Sequence, residues 1–220
     1  IYDFPVDVEC NIDSNQINDC KFILNNINST YSQIVNLSQY ITADFNFDLQ
    51  CFARFKDGNF SSSSCEFINL DPGSIKISPE NPAIDFERIF VRFDFNKDLS
   101  EFNIESLEFN NLSSNLIFSG KFAKGEEIEF AGNIKAKDFS VIDAEKYWPV
   151  SLRPSLRKWL LKSLEAGNIT DSEVDFKVKY LQDAQKFAVE KLDIDVDFID
   201  TRLAFSDKFL PLRNASGHIK

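Results

Sequence analysis

The sequence predicts a mainly β protein: a long, curved antiparallel sheet forming an apolar groove, with one short amphipathic helix around residues 154–166. Three observations carry that expectation. Apolar and polar residues alternate with a period of two along most of the chain, as in strands with one buried face and one wet face. A single segment, Tyr147 to Gly167, carries helical spacing instead. One short helix cannot cover so much one-sided strand. Either two sheets pack face to face as a closed sandwich, or one long sheet curls and leaves a trough.

Taken in order, Tyr2, Phe4, Val6, Val8 and Cys10 alternate with acidic residues. Asp13-Ser14-Asn15-Gln16 signals a turn, and Cys20, Phe22 and Leu24 return. The strongest alternation runs from Ile41 to Phe55 and reads as a ribbon of about 50 Å, long enough that a bulge or bend is expected to divide it. Lys56-Asp57-Gly58-Asn59 and Asp71-Pro72-Gly73 are turns, and Pro79 and Pro82 interrupt the pattern. Further strands are expected at 89–95, 102–109, 116–122, 128–136, 169–180 and 192–198, with a last one near His218.

The helical segment has its own punctuation. Ser151 can cap it, Pro154 suits its first turn, and Gly167 stands where a left-handed C-terminal residue is wanted. Leu156, Trp159, Leu160 and Leu164 recur at i, i+3/i+4 spacing; Arg153, Arg157, Lys158 and Lys162 form a basic cluster, read as a solvated outer face. The helix is therefore expected to press on the sheet as a plug or lid. The organisation is a curved sheet segment at 1–146, the helix motif at 147–167 and further sheet at 168–220, one continuous piece without a linker. A chain that opens on Ile1, with strand pattern still running at Lys220, is expected to be part of a longer protein.

Composition narrows the function classes. A net charge of −11 argues against a nucleic-acid backbone as partner, which needs a basic stripe. No run approaches the ~20 apolar residues of a membrane-spanning helix. Phenylalanine is over-represented, 23 of 220 residues, and sits mostly at the apolar phase of the strands. The one histidine, His218, has no nucleophile elbow to serve, and there is no phosphate loop or HExxH pair. Asp193-Ile-Asp195-Val-Asp197 looks like the start of a calcium loop, yet Phe198 stands where the turn glycine belongs, so a solvated strand face is expected and no metal. No cofactor and no catalysis are expected.

The four cysteines lie in the first third of the chain without a CxxC pair, which argues against zinc. Hairpins turning near Asn15 and near Asp57-Gly58 place Cys10 opposite Cys20 and Cys51 opposite Cys65. Whether the pairs are bonded depends on the compartment, and buried free thiols are the other reading.

Tyr147-Trp148-Pro149, Leu152-Arg153-Pro154, Arg157-Lys158-Trp159-Leu160 and Gly167-Asn168-Ile169 together resemble a motif of the YhdP-type branch of the AsmA-like bacterial envelope proteins. Pro72-Gly73-Ser74-Ile75, Leu116-Ile117-Phe118-Ser119-Gly120 and the segment from Phe198 to Gly217 are similar to recurrent β patterns there; Phe209-Leu210-Pro211 departs from the family's double proline. The resemblance implies a long periplasmic protein held in the inner membrane by an anchor outside this sequence. Its curved sheet would form a hydrophobic groove moving phospholipid towards the outer membrane. Acyl chains are then the expected partner, and Phe45, Phe47, Leu49, Phe93, Phe95, Phe118, Phe130, Phe176, Val196 and Phe198 the expected groove residues, with ordinary core packing as the other reading of each. Unpaired sheet edges would favour edge-to-edge self-association.

Overall fold

The computed structural model describes residues 6–13, 16–28, 42–76, 81–111, 114–125, 127–147, 154–181, 186–204 and 210–220. In chain order the strands are β1 (Val6–Asp13), β2 (Gln16–Asn28), β3 (Thr42–Asp44), β4 (Asn46–Lys56), β5 (Asn59–Asn69), β6 (Gly73–Lys76) and β7 (Ile84–Phe86). They continue with β8 (Arg88–Asn96), β9 (Glu101–Asn111), β10 (Ser114–Lys124), β11 (Ile128–Ser140), β12 (Leu164–Leu181), β13 (Lys186–Leu203) and β14 (Leu212–Ile219). Between β11 and β12 lie a 3-10 turn, Val141–Asp143, and two helices, α1 (Ala144–Tyr147) and α2 (Pro154–Ser163).

Eleven of the strands make one open antiparallel sheet in the order β1-β2-β4-β5-β8-β9-β10-β11-β12-β13-β14; β3, β6 and β7 form a separate small sheet. Ten inter-strand steps of about 4.8 Å carry the large sheet across about 48 Å. A sheet this wide twists and coils rather than lying flat, and among the described strands β1 and β14 are its edges.

The turn chemistry explains the meander. Asp57 and Gly58 both adopt positive φ, 53° and 74°, as a two-residue hairpin between β4 and β5 requires. The Ile41–Phe55 ribbon is indeed divided: β3 leaves for the small sheet and the chain bends at Phe45 before β4. Gly73 permits that crossing, since a Cβ there would lie 2.6 Å from the Phe45 Cβ and 2.7 Å from the Asp44 carbonyl oxygen. The cysteine pairs fall directly opposite one another and are bonded, Cys10 to Cys20 and Cys51 to Cys65. Closing loops of this size removes unfolded-state freedom worth about 3 kcal/mol each in the chain-entropy account.

The densest packing lies at one end of the strands. Ile84, Phe86, Ile89 and Phe109 are buried there, with Phe45, Phe67, Ile75, Leu107, Leu116 and Tyr147 packed on them. Side-chain amides, buried Asn69 and half-buried Asn111, tie this end together. Asn69 donates to the Asp71 and Glu87 carbonyls at 2.8 and 3.0 Å and accepts from the Ile89 N–H at 2.6 Å. Asn111 donates to the Tyr147 hydroxyl at 2.6 Å and accepts from the Ser114 N–H at 2.7 Å, which docks α1 against the β9–β10 turn.

The helix is shorter than its apolar spacing predicts. It stops at Ser163, and Leu164, expected on its inner face, instead opens β12 opposite Leu203. The Ser163 carbonyl accepts from the Ala204 N–H at 2.8 Å, so the residue that follows β13 takes up the helix end. Gly167 is consequently no helix cap. It lies within β12 at φ +127°, pressed on Thr201 of β13 between two register shifts. Ladder pairing over 18 residues outweighs one further helical turn.

Candidate functional site: a one-sided apolar face

Antiparallel register sets residues on different strands side by side on the same face. Tracing it across the sheet gives continuous apolar rows. One runs Cys20, Ala53, Ser63, Phe95, Phe102, Phe122, Phe130, Val178, Val189. The next runs Phe22, Cys51, Cys65, Phe93, Ile104, Gly120, Gly132, Phe176, Leu192. A third runs Leu24, Leu49, Phe67, Val91, Leu107, Phe118, Ile134, Val174, Ile194. Below them Ile89, Phe109, Leu116 and Ala136 lead through Ser172 to Val196, and Phe139 and Ile169 lead to Phe198.

All ten residues expected to line a groove therefore share one face, and all ten are half-buried. They divide into two environments. Phe45 and Phe47 belong to the packed end, where Phe45 meets Phe86 at 5.1 Å and Phe47 meets Phe67 at 4.7 Å between ring centroids. Phe93, Phe95, Phe118, Phe130 and Phe176 lie further up the strands, packed on one another rather than under another layer of the described chain. Phe93 stacks on Phe102 at 5.3 Å, and Phe118, Phe130 and Phe176 form a triangle of 5.3–6.4 Å. Towards the β14 edge the same face is open, with Leu192 and Ile194 exposed beside half-buried Val196.

Three further rings join this surface although the sequence did not single them out for it: Phe55, Phe60 and Phe102, linked by Phe55–Phe60, Phe60–Phe95 and Phe93–Phe102 contacts. Phe55 and Phe102 stand in phase with Ala53 and Ile104, so phase was the available signal for them; Phe60 is out of phase with Cys65 and Phe67 and reaches this face through the bulge beside Arg54 and Phe55. The Gly120–Gly132 pair was not expected either. A Cβ on Gly132 would come within 2.6 Å of the Phe118 ring, and one on Gly120 within 2.5 Å. The two glycines thus leave the space that the Phe118 ring fills, an aromatic lying over backbone in mid-sheet.

The opposite face is charged, with its ion pairs concentrated on β11, β12 and β13. Lys179 reaches Glu127, Glu129 and Glu190 at 3.1, 3.1 and 2.9 Å, and Lys177 reaches Glu129 and Glu190 at 3.2 and 3.1 Å. Hydrogen bonds from Lys179 and then Lys177 hold the Glu129 and Glu190 carboxyls below the ordinary glutamate range; the same contacts raise both ammonium groups. Asp193 is paired with Lys191 at 3.0 Å, Asp195 with Lys220 at 3.4 Å, and His218 sits 3.0 Å from Asp197. Two of the three aspartates of the calcium-like run thus meet lysine ammonium groups, and the third meets the His218 ring, along a strand face. A hollow of about 530 Å³ also opens on this side, floored by Gly120 and Gly132 and lined by Asn103, Lys121, Asn133, Asp175 and Lys177. Of the expected groove residues it is lined by Phe176 alone.

Of the motif residues, Tyr147 closes α1 and packs between Phe109 and Phe139 at 6.2 and 5.1 Å, burial raising its hydroxyl pKa. Pro154 opens α2 as expected. Trp148, Pro149 and Arg153 lie outside the described residues, as do the side chains of Trp159 and Leu160, and with them the plug-on-sheet expectation. Lys158 and Lys162 are exposed, in keeping with a solvated basic face.

No family model, no curated protein and no solved structure matches the chain.

Proposed function

We propose that the chain is a segment of an AsmA-like envelope protein of the YhdP-type branch, its apolar face serving as a hydrophobic groove for phospholipid transport between inner and outer membrane. The observation that carries this reading is the pairing of one Phe/Leu/Ile/Val face with one charged face across the central strands. A sheet meant only to form a core would bring a second layer over rows that here are roofed, among the described residues, only at the end beneath β3, β6 and β7.

Such a surface suits a conduit because of the energies involved. Each methylene withdrawn from water contributes about 0.8 kcal/mol, but a tail moving from bilayer to aromatic face exchanges one apolar medium for another and changes little. Passage then needs a continuous surface rather than a reacting group, so no residue is assigned a catalytic role. Two disulfides suit an oxidising compartment such as the periplasm. The inner membrane would be reached through an anchor outside this sequence.

Mass spectrometry of organic extracts from the purified protein tests the reading. Co-purifying phospholipid, displaced by added fatty-acyl probe, is the expected result. Extracts persistently free of lipid, with no uptake of the probe, would refute it and favour a sealed β-sandwich interaction module instead.

A further inference from the structure

We propose that Lys97 and Lys124 form a phosphate site on the open rim of the trough, taking the headgroup of a phospholipid whose tails lie on Phe95, Phe102 and Phe122. This rests on the groove reading above and adds to it the place and chemistry of the headgroup.

Topology puts both lysines on the same rim. The hairpin turns of β4–β5, β8–β9 and β10–β11 all fall at the end of the strands opposite the small sheet and α1. Lys97 follows Phe95 by two residues at the head of β8, its N–H still donating to the Ser61 carbonyl of β5 at 3.0 Å. Lys124 follows Phe122 by two residues within β10, so strand alternation keeps it on the aromatic face, opposite Ile128. Its N–H donates to the Ser100 carbonyl at 2.7 Å, which places the head of β9 between the two lysines. The strands β8 and β10 are two steps apart, about 9.6 Å.

The carboxylates around the pair are mostly engaged by other groups, although Asp98 also feels the adjacent Lys97 charge. Glu101 faces Lys121 at 3.4 Å and Glu127 faces Lys179 at 3.1 Å, both on the charged side of the sheet. The Asp98 carboxylate accepts from the Ser100 N–H at 3.2 Å and closes its own turn. Lys97 and Lys124 are exposed and have no ion-pair partner among the described residues, whereas Lys121, Lys135, Lys177, Lys179 and Lys191 on the charged face all have one. Two ammonium groups without an ion-pair partner among the described residues, at the head of a row of three phenylalanines, match an amphiphile with an anionic head and an alkyl tail. Their aliphatic stems can lie along the ring edges while the charged ends stay in water.

Calorimetric titration below micelle concentration separates the parts, with dodecyl phosphate, dodecyl maltoside and inorganic phosphate as probes. The intact protein should bind dodecyl phosphate about fivefold more tightly than the maltoside, the scale of a few exposed charge contacts. The K97Q/K124Q double variant should lose that preference and keep its maltoside affinity; a K121Q/K135Q control on the charged face should change neither. High salt should erase the preference as well. Equal affinities of the intact protein for both amphiphiles, or an undiminished preference in K97Q/K124Q, would overturn the rim site and leave the groove standing. Inorganic phosphate binding as tightly as dodecyl phosphate would overturn the lipid source. If neither amphiphile binds, the groove reading fails and the rim site with it.

Discussion

Gly167 is the position where local spacing and tertiary pairing disagree most sharply, and substituting it measures which one governs. As a helix C-cap it would tolerate Asn, which adopts left-handed backbone nearly as readily as Gly. As found, it lies inside β12 at φ +127°, with the Thr201 Cα 2.6 Å and the Thr201 Cβ 2.9 Å from where a Cβ would stand. Thr201 is 2% exposed, so it has little room to retreat. A side chain held in that region of backbone space costs about 1–3 kcal/mol. Forcing an extra carbon into the contact costs about 1–3 kcal/mol more. Gly167→Ala should therefore lose about 2–6 kcal/mol, a large part of the roughly 5–15 kcal/mol that holds a typical domain. Gly167→Asn should lose at least as much. Equilibrium urea unfolding reads the loss as a lower midpoint at unchanged slope. A Thr201→Gly second change should recover part of the Gly167→Ala loss, giving a non-zero coupling in the double-mutant cycle. If Gly167→Asn unfolds within about 0.5 kcal/mol of the parent protein, the close approach to β13 is not what fixes this glycine.

Two further outcomes follow from the charged face and the edges. The Glu129 and Glu190 carboxyls are held low, so their contribution to stability is complete above the ordinary value of 4.5 and is lost as pH falls through their lower folded values; that of Lys177 and Lys179, held high, is complete below 10.5 and lost as pH rises through the folded values. Lys179→Gln should thus lower the urea midpoint at neutral pH, and the gap from the parent protein should close well below pH 4.5. A gap unchanged in acid would contradict the assignment. For the edges, we expect concentration-dependent association in sedimentation velocity through the outer sides of β1 and β14, which pair with no further strand among the described residues, weakened by Val8→Lys on the exposed β1 strand. Strictly monomeric sedimentation at high concentration would refute it.

Much of the architecture could be read from short stretches of sequence. Asp57-Gly58 specifies its hairpin through backbone chemistry, and that turn together with a one-residue bulge beside Arg54 and Phe55 brings Cys51 opposite Cys65. The alternation in β8, β10 and β12 assigns Phe93, Phe118 and Phe176 to one face, because a period of two leaves no other arrangement on a strand. The legibility ended where two remote segments compete. Residues 164–167 continue the helical spacing of α2, yet they pair with β13, and the partner strand lies some 35 residues further on, beyond any local window. The close approach at Gly73 and the space above Gly120 and Gly132 were invisible for the same reason, since each is made by a ring or carbonyl from elsewhere in the chain.

By itself, then, the sequence determined an antiparallel sheet with one greasy and one charged face, because strand periodicity, turn residues and charge placement act over a few residues. Only the tertiary structure decided which part of the greasy face is roofed by β3, β6 and β7, where the helix stops, and which lysines are left without a carboxylate. Those outcomes depend on register across strands far apart in the chain, and register is settled by the sum of many weak pairings rather than by any one of them.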